Sequence, residues 1–396
     1  MNAHQRRAVL RLLTIFVAGA ILDSSQALAA RPFLTETAVF HEKDDGYFIH
    51  RIPALWTTDK GTLLAFCEAR IGSVSDAAAT DVVLRRSLDN GKTWTAAQVV
   101  AHFPNYTVGN PTPVQDAKTG VVWLLLTVNP ADVTEKEIEA GSPKGTRTVW
   151  ITQSSDDGAT WSAAQEITAT TKKPDWTWYA TGPGNGIQLQ TGRLVIPCDY
   201  KVIGTHAYYA HVIYSDDDGK TWQLGGSAGP ETNESAVAEL ADGSLILNMR
   251  SYAHQNRRAV AYSHDGGITW SAVQLDSALV EPVCEASMVR YQVEGKDALI
   301  FANPADTVRD RMTVRVSYDG GKTWPASRLV FADFAEYSSL AVLKDGTIGL
   351  LYTRGPGKPS AEHGWYPPNN PEIVFARFNL EWITQGKDHL NARPKH

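Results

Sequence analysis

Short apolar runs, each led by a turn glycine, recur along the chain. Gly61 precedes Thr62–Phe66, Gly120 precedes Val121–Leu126, and Gly192 precedes Arg193–Pro197. Gly243, Gly295 and Gly346 likewise lead into Ser244–Met249, Lys296–Phe301 and Thr347–Tyr352. Runs of five or six residues bounded by glycine read as buried strands, and no long stretch of helical periodicity competes with them. Six such starts, at intervals of about 50 residues or more, predict six repeats of one supersecondary unit.

A second repeat interleaves with the first. The pattern Ser-x-Asp-x-Gly-x-Thr-Trp begins at Ser87, Ser154, Ser215, Ser263 and Ser317. It has the chemistry of a hairpin turn. The aspartate bonds to nearby backbone, the glycine takes positive φ, and Ser, Thr and Trp fasten the turn to its strands. Together the two repeats predict an all-β chain folded as a six-bladed β-propeller with four short strands per blade. Five turn motifs for six blades fit a closing blade assembled from both ends of the chain. These motifs read as rim turns without chemistry of their own.

Composition adds bounds. The 396 residues are 43% hydrophobic and 20% charged, with a net charge of −6. No excess of positive charge draws the chain to nucleic acid or to an anionic membrane, so an anionic ligand needs a local cluster of arginines. Arg6, Arg7 and Arg11, the apolar stretch 12–22 and Ala27-Leu28-Ala29 predict an export signal over residues 1–29. The apolar stretch is too short to span a membrane, so no membrane insertion is expected. The remainder, 30–396, is expected to be one exported domain, periplasmic or extracellular, and a monomer. Cys67, Cys198 and Cys284 cannot build a disulfide framework, and no metal-ligand spacing appears. They read as buried thiols.

Chemistry has to come from outside the repeats. Tyr47-Phe48-Ile49-His50-Arg51-Ile52-Pro53 opens the first blade, and Cys67-Glu68-Ala69-Arg70 follows. With five Asp boxes, these residues resemble the sialidase (neuraminidase) family over nearly all of the chain beyond the export signal. The resemblance implies that Arg51, Arg250 and Arg309 grip a substrate carboxylate, with Arg311 and Arg315 as rivals to Arg309. Guanidinium forks match a carboxylate bidentately, each charged hydrogen bond contributing about 1.5–3 kcal/mol. Arg70 is implied at the sugar ring.

The implied acid/base is Asp76, with Asp81 as competitor, and the implied nucleophile and base are Tyr337 and Glu234. Asp175–Tyr179 and Gly182–Gly186 resemble a loop beside the pocket, whose aromatic rings can stack on substrate or simply pack. Asn185 stands where many relatives have histidine. The resemblance implies sialylated glycans as partners and no cofactor. The sequence leaves three functions open: hydrolysis of α-sialosides, action on a related 2-keto-acid sugar such as KDN (or transfer in place of hydrolysis), and non-catalytic glycan binding.

One departure stands out. Relatives place a glutamate, which steadies the first arginine, where this chain has Thr353. The expectation is a loosely held Arg51, with Glu362 as a substitute counter-charge and a lower KM if Thr353 is changed to glutamate.

Overall fold

The computed structural model describes residues 31–293, 295–357 and 370–387. The expected export signal and Glu362 lie outside them. Strand β1 (Leu34–His41) is set aside until the end of the chain; the first blade is β2 (Ile49–Thr57), β3 (Leu63–Arg70), β4 (Thr80–Ser87) and β5 (Gln98–Ala101). The second is β6 (Tyr106–Gln115), β7 (Val122–Pro130), β8 (Thr148–Ser154) and β9 (Gln165–Glu166). In the third, β10 (Trp176–Thr181) and β11 (Ile187–Gln188) share the inner position beside β12 (Leu194–Val202), β13 (Tyr208–Ser215) and β14 (Gln223–Ala228). The fourth is β15 (Thr232–Glu239), β16 (Leu245–Ser251), β17 (Arg257–Ser263) and β18 (Gln274–Val280). The fifth begins with β19 (Ser287–Val293), β20 (Lys296–Pro304) and β21 (Asp310–Ser317).

The long strand β22 (Ala326–Val342) serves two blades. Its first half pairs with β21 and its second half with β23 (Ile348–Arg354). Next comes β24 (Glu372–Phe378), and β1 pairs antiparallel with it, Leu34 opposite Phe378. The sixth blade is therefore closed by the N-terminal strand, as the sequence pattern requires.

All six strand-leading glycines precede the second strand of a blade, at φ between 74° and 95°. Positive φ of this kind costs a residue with a Cβ about 1–2 kcal/mol, which is why glycine marks the position. The five Asp boxes join third to fourth strands in blades one to five. The sixth blade has no such connection, because its fourth strand is β1. That accounts for five motifs in six blades.

Within each box the serine Oγ donates to the aspartate at 2.8–2.9 Å and accepts from the glycine N–H at 2.8–2.9 Å. The boxes are more than rim turns. A Cβ on Gly91 would lie 2.0 Å from the Phe375 ring, on Gly158 2.7 Å from Leu64, and on Gly219 2.1 Å from Trp123. Each of these glycines presses its turn against the preceding blade. Trp94 and Trp161 cross the same seams, edge-on to Phe375 and Phe66. The core follows this plan: apolar clusters lie between blades, for example Leu55, Cys67 and Val83 of the first against Leu351 and Phe375 of the sixth. Cys67, Cys198 and Cys284 are all free and buried.

Candidate active site

The strands converge on a cavity of about 600 Å³. Into it the fold brings all seven residues singled out from sequence: Arg51, Arg70, Asp76, Glu234, Arg250, Arg309 and Tyr337. They come from four blades, and no two adjacent residues among them are both in the set. The pocket is tertiary.

Tyr337 sits on β22 and is buried, and its Oη donates to Glu234 Oε1 at 2.6 Å. Arg250 Nη1 bonds the other Glu234 oxygen at 2.7 Å and lies 3.4 Å from the phenol oxygen. Burial pushes the Tyr337 phenol well above its ordinary value, and the Glu234 charge pushes it further, against the pull of Arg250 and Arg309. The phenol is therefore neutral in the empty site and has one acceptor poised for its proton.

Asp76 lines the same cavity from the loop between β3 and β4. Its carboxylate lies 2.6 Å from Arg70 Nη1 and 3.3 Å from Arg51 Nη1, while its side chain stays half exposed. Burial alone would raise its pKa, but Arg70 and then Arg51 hold it down at about 2. Asp81 is elsewhere: it accepts from Tyr47 Oη and contacts His102, both at 2.7 Å, within the first blade. Arg311 is half exposed beside Asp306, and Arg315 bonds Asn303. Only Arg309 of these three arginines lines the cavity.

The expectation of a loosely held Arg51 is corrected by a residue the sequence analysis passed over. Glu336 is fully buried and takes Arg51 in a bidentate grip, Nε at 3.0 Å and Nη2 at 2.8 Å. The same carboxylate accepts from Arg309 Nη1 at 2.6 Å. Thr353, one strand away, is buried with no hydrogen-bond partner for its hydroxyl among the described residues. A counter-charge exists; it has a different address. In sequence Glu336 is merely the neighbour of Tyr337, and only the fold turns both side chains inward.

Other lining groups also escaped the sequence reading. Asn110, Glu135, Arg147, Asp199, Asn233 and Tyr252 complete the walls. Asn110, Asp199 and Asn233 lie on strands, Glu135 on a short helix, and Arg147 and Tyr252 just outside strand ends, each a single polar residue with no motif to flag it. Arg147 stacks over the Trp178 ring at 3.8 Å and donates to Asn110 Oδ1 at 2.8 Å. Glu68 joins the two sides, bonding Arg70 at 2.8 Å and accepting the Asn110 N–H at 3.0 Å. That approach needs Gly109, whose Cβ would fall 2.2 Å from the Glu68 carboxylate. Most of the segment that resembled a loop, from Trp176 on, is strand β10; on it Trp178 lines the cavity, whereas Trp176 and Tyr179 are buried in packing. Asn185 donates to the Leu340 carbonyl at 2.8 Å and serves structure.

Comparison with known proteins bears on the family and the fold. Residues 61–350 match the family model described as BNR repeat-like domain. An exo-alpha-sialidase of Aspergillus fumigatus is 30% identical over 97% of this chain and 99% of its own length. The chain belongs to the sialidase family. A sialidase of Bacteroides fragilis is 36% identical over 79% of this chain, which covers 61% of that protein. The chain thus spans about three fifths of this longer relative. Among solved structures, Hadza microbial sialidase Hz136 superposes with a TM-score of 0.78 at 32% identity, covering 88% of this chain and 69% of that one. Among the described residues, no helix is long and apolar enough to cross a membrane, and no cluster of three metal-ligating side chains occurs.

Proposed function

We propose that this sialidase-family protein is a retaining exo-α-sialidase that releases terminal α-linked sialic acid through a glycosyl-tyrosine intermediate. The observation that carries the reading is the 2.6 Å bond from Tyr337 to Glu234 inside a pocket of arginines that Asp76 also lines.

A sialic acid bears its carboxylate on the anomeric carbon. A carboxylate nucleophile would meet that charge at close range, whereas a neutral phenol does not; sialidases are the exception to the two-carboxylate rule of glycosidases. In the first displacement Tyr337 Oη attacks the anomeric carbon and its proton passes to Glu234. The glycosidic bond breaks, and the leaving oxygen takes a proton from Asp76. In the second, Asp76 takes a proton from water, which attacks the same carbon as Tyr337 departs and recovers its proton from Glu234. Two inversions give retention.

The charges around the pocket explain how an aspartate held at about pKa 2 can serve as an acid. In the empty site Arg51, Arg70, Arg250 and Arg309 stand against Glu68, Asp76, Glu234 and Glu336. Arg147 lines the same cavity, where the charges of Glu68 and Glu135 act on it. A substrate carboxylate seated on Arg51, Arg250 and Arg309 adds one negative charge. It displaces Asp76 from Arg51 and sets a like charge near it, and both effects favour the protonated form of Asp76. Substrate binding itself makes the acid.

Proton NMR of a sialoside digest tests the mechanism. The first-formed sugar is expected as the α-anomer, drifting later towards β. First-formed β-anomer would exclude double displacement, and binding without turnover would favour a glycan-binding propeller.

A further inference from the structure

The anchor of the arginine cluster sits at an irregularity in the sheet. Ala335 pairs with Arg354 and Ser338 with Tyr352, so Glu336 and Tyr337 together oppose the single residue Thr353. Two residues against one is a β-bulge, which locally re-aims side chains. The bulge lets two consecutive residues serve the pocket, the nucleophile at 337 and the arginine anchor at 336. In a regular strand they would point to opposite faces.

Thr353 is the other half of this device. Along β23, Tyr352 packs into the core towards the fifth blade, and Leu351 packs towards the first. By the two-residue period Thr353 shares the Leu351 side and faces the first blade, where Arg51 lies. Directly opposed residues in a sheet carry Cβ atoms about 4.5–5.5 Å apart. Thr353 is the one residue across the bulge from Glu336 and Tyr337, so a carboxylate there starts on the adjacent strand at the level of the present anchor.

We propose that Glu336 is a positioning residue that fixes Arg51 and Arg309 as one fork for the substrate carboxylate, and that the bulge makes position 353 an interchangeable seat for the same anchoring charge. The proposal rests on the sialidase reading of the pocket. A second glutamate at 353, beside Glu336, would set another carboxylate against the arginines that the substrate carboxylate needs. The expected result of Thr353→Glu alone is accordingly a higher KM, the reverse of the sequence-based expectation.

The test is a transfer of the charge. Glu336→Gln is expected to lower kcat/KM on a sialoside by about 10²–10³-fold, since it takes from two buried guanidiniums the carboxylate they share. Glu336→Ala combined with Thr353→Glu is expected to recover at least tenfold of that loss. A second readout separates positioning from folding: binding of an unsaturated 2,3-dehydro sialic acid against its methyl ester. The unmutated protein should prefer the acid strongly; Glu336→Gln should lose that preference while its affinity for the ester holds. Equal weakening for acid and ester, or a double variant no better than Glu336→Ala, overturns the proposal. If Glu336→Gln is poorly folded, the ester arm of the double variant decides in the same way. Failure of the unmutated protein to bind either compound would instead sink the sialidase reading.

Discussion

The rim of the propeller and its central pocket are built from the same strands by opposite means. Each Asp box closes within eight residues, by bonds between positions two and four apart such as Ser87, Asp89, Gly91 and Thr93. In the pocket, Arg250 and Glu234 are 16 residues apart, Tyr337 and Glu234 103, and Arg51 and Glu336 285. The rim also repeats, so an error in one copy leaves four others. The pocket exists once. Local, repeated structure secures the scaffold, and the scaffold then holds buried charges that could not assemble by themselves.

The sharpest way to exploit this contrast is to damage the pocket while leaving the scaffold alone. Tyr337→Phe is expected to reduce kcat by about 10³–10⁵-fold with little change in Tm, because groups acting as a unit fail together. A 2,3-difluoro sialic acid is expected to label Tyr337 in the unmutated protein, as read by peptide mass spectrometry. A label on another residue removes the nucleophile assignment.

Next in size is Asp76→Ala, with a loss of about 10²–10⁴-fold on substrates with poor leaving groups. An aryl sialoside with an acidic leaving group is expected to lose far less. If Asp81→Ala gives that pattern instead, the acid is misplaced.

The reverse experiment damages the scaffold. Gly219→Ala forces a Cβ to within 2.1 Å of Trp123 at a φ of 91°, and should destabilise by about 2–4 kcal/mol. Gly243→Ala has φ 83° with nothing within 4 Å, and should cost only the backbone strain of about 1–2 kcal/mol. Thermal unfolding separates the two, and kcat of the folded fraction should be unchanged in both. Equal losses of Tm would mean that the blade seam does not depend on that close approach.

The smallest effect is electrostatic. Asp76 is ionised at all working pH values in the free protein, since Arg70 and Arg51 hold it at about 2. A bound sialoside carboxylate raises that pKa, so binding takes up protons, more as pH falls towards the raised value. Calorimetry in buffers of different ionisation enthalpy measures the uptake with the 2,3-dehydro acid, and Asp76→Asn is expected to remove it. No uptake in the unmutated protein would separate acid catalysis from carboxylate binding.

The fold was legible because its signals are local. A glycine needing positive φ before a buried strand and an aspartate bonding within its own turn are both written in consecutive residues. The six glycines and five boxes fell on the second strands and the third-to-fourth turns of the blades for that reason. The pocket was legible only where a residue stood in a recognisable setting, as Arg51 does in Arg-Ile-Pro. Asn110, Arg147 and Asp199 had no such setting and were not read.

Thr353 marks the boundary between the two kinds of information. The sequence determined that a customary charge was missing there. Where its replacement lay was decided by a bulge that turns Glu336 inward beside Tyr337, 285 residues from the Arg51 it holds. Sequence neighbours set turns and strands because those interactions span a few residues. Which carboxylate meets which guanidinium depends on how six blades close around one axis, and only the closed structure specifies that.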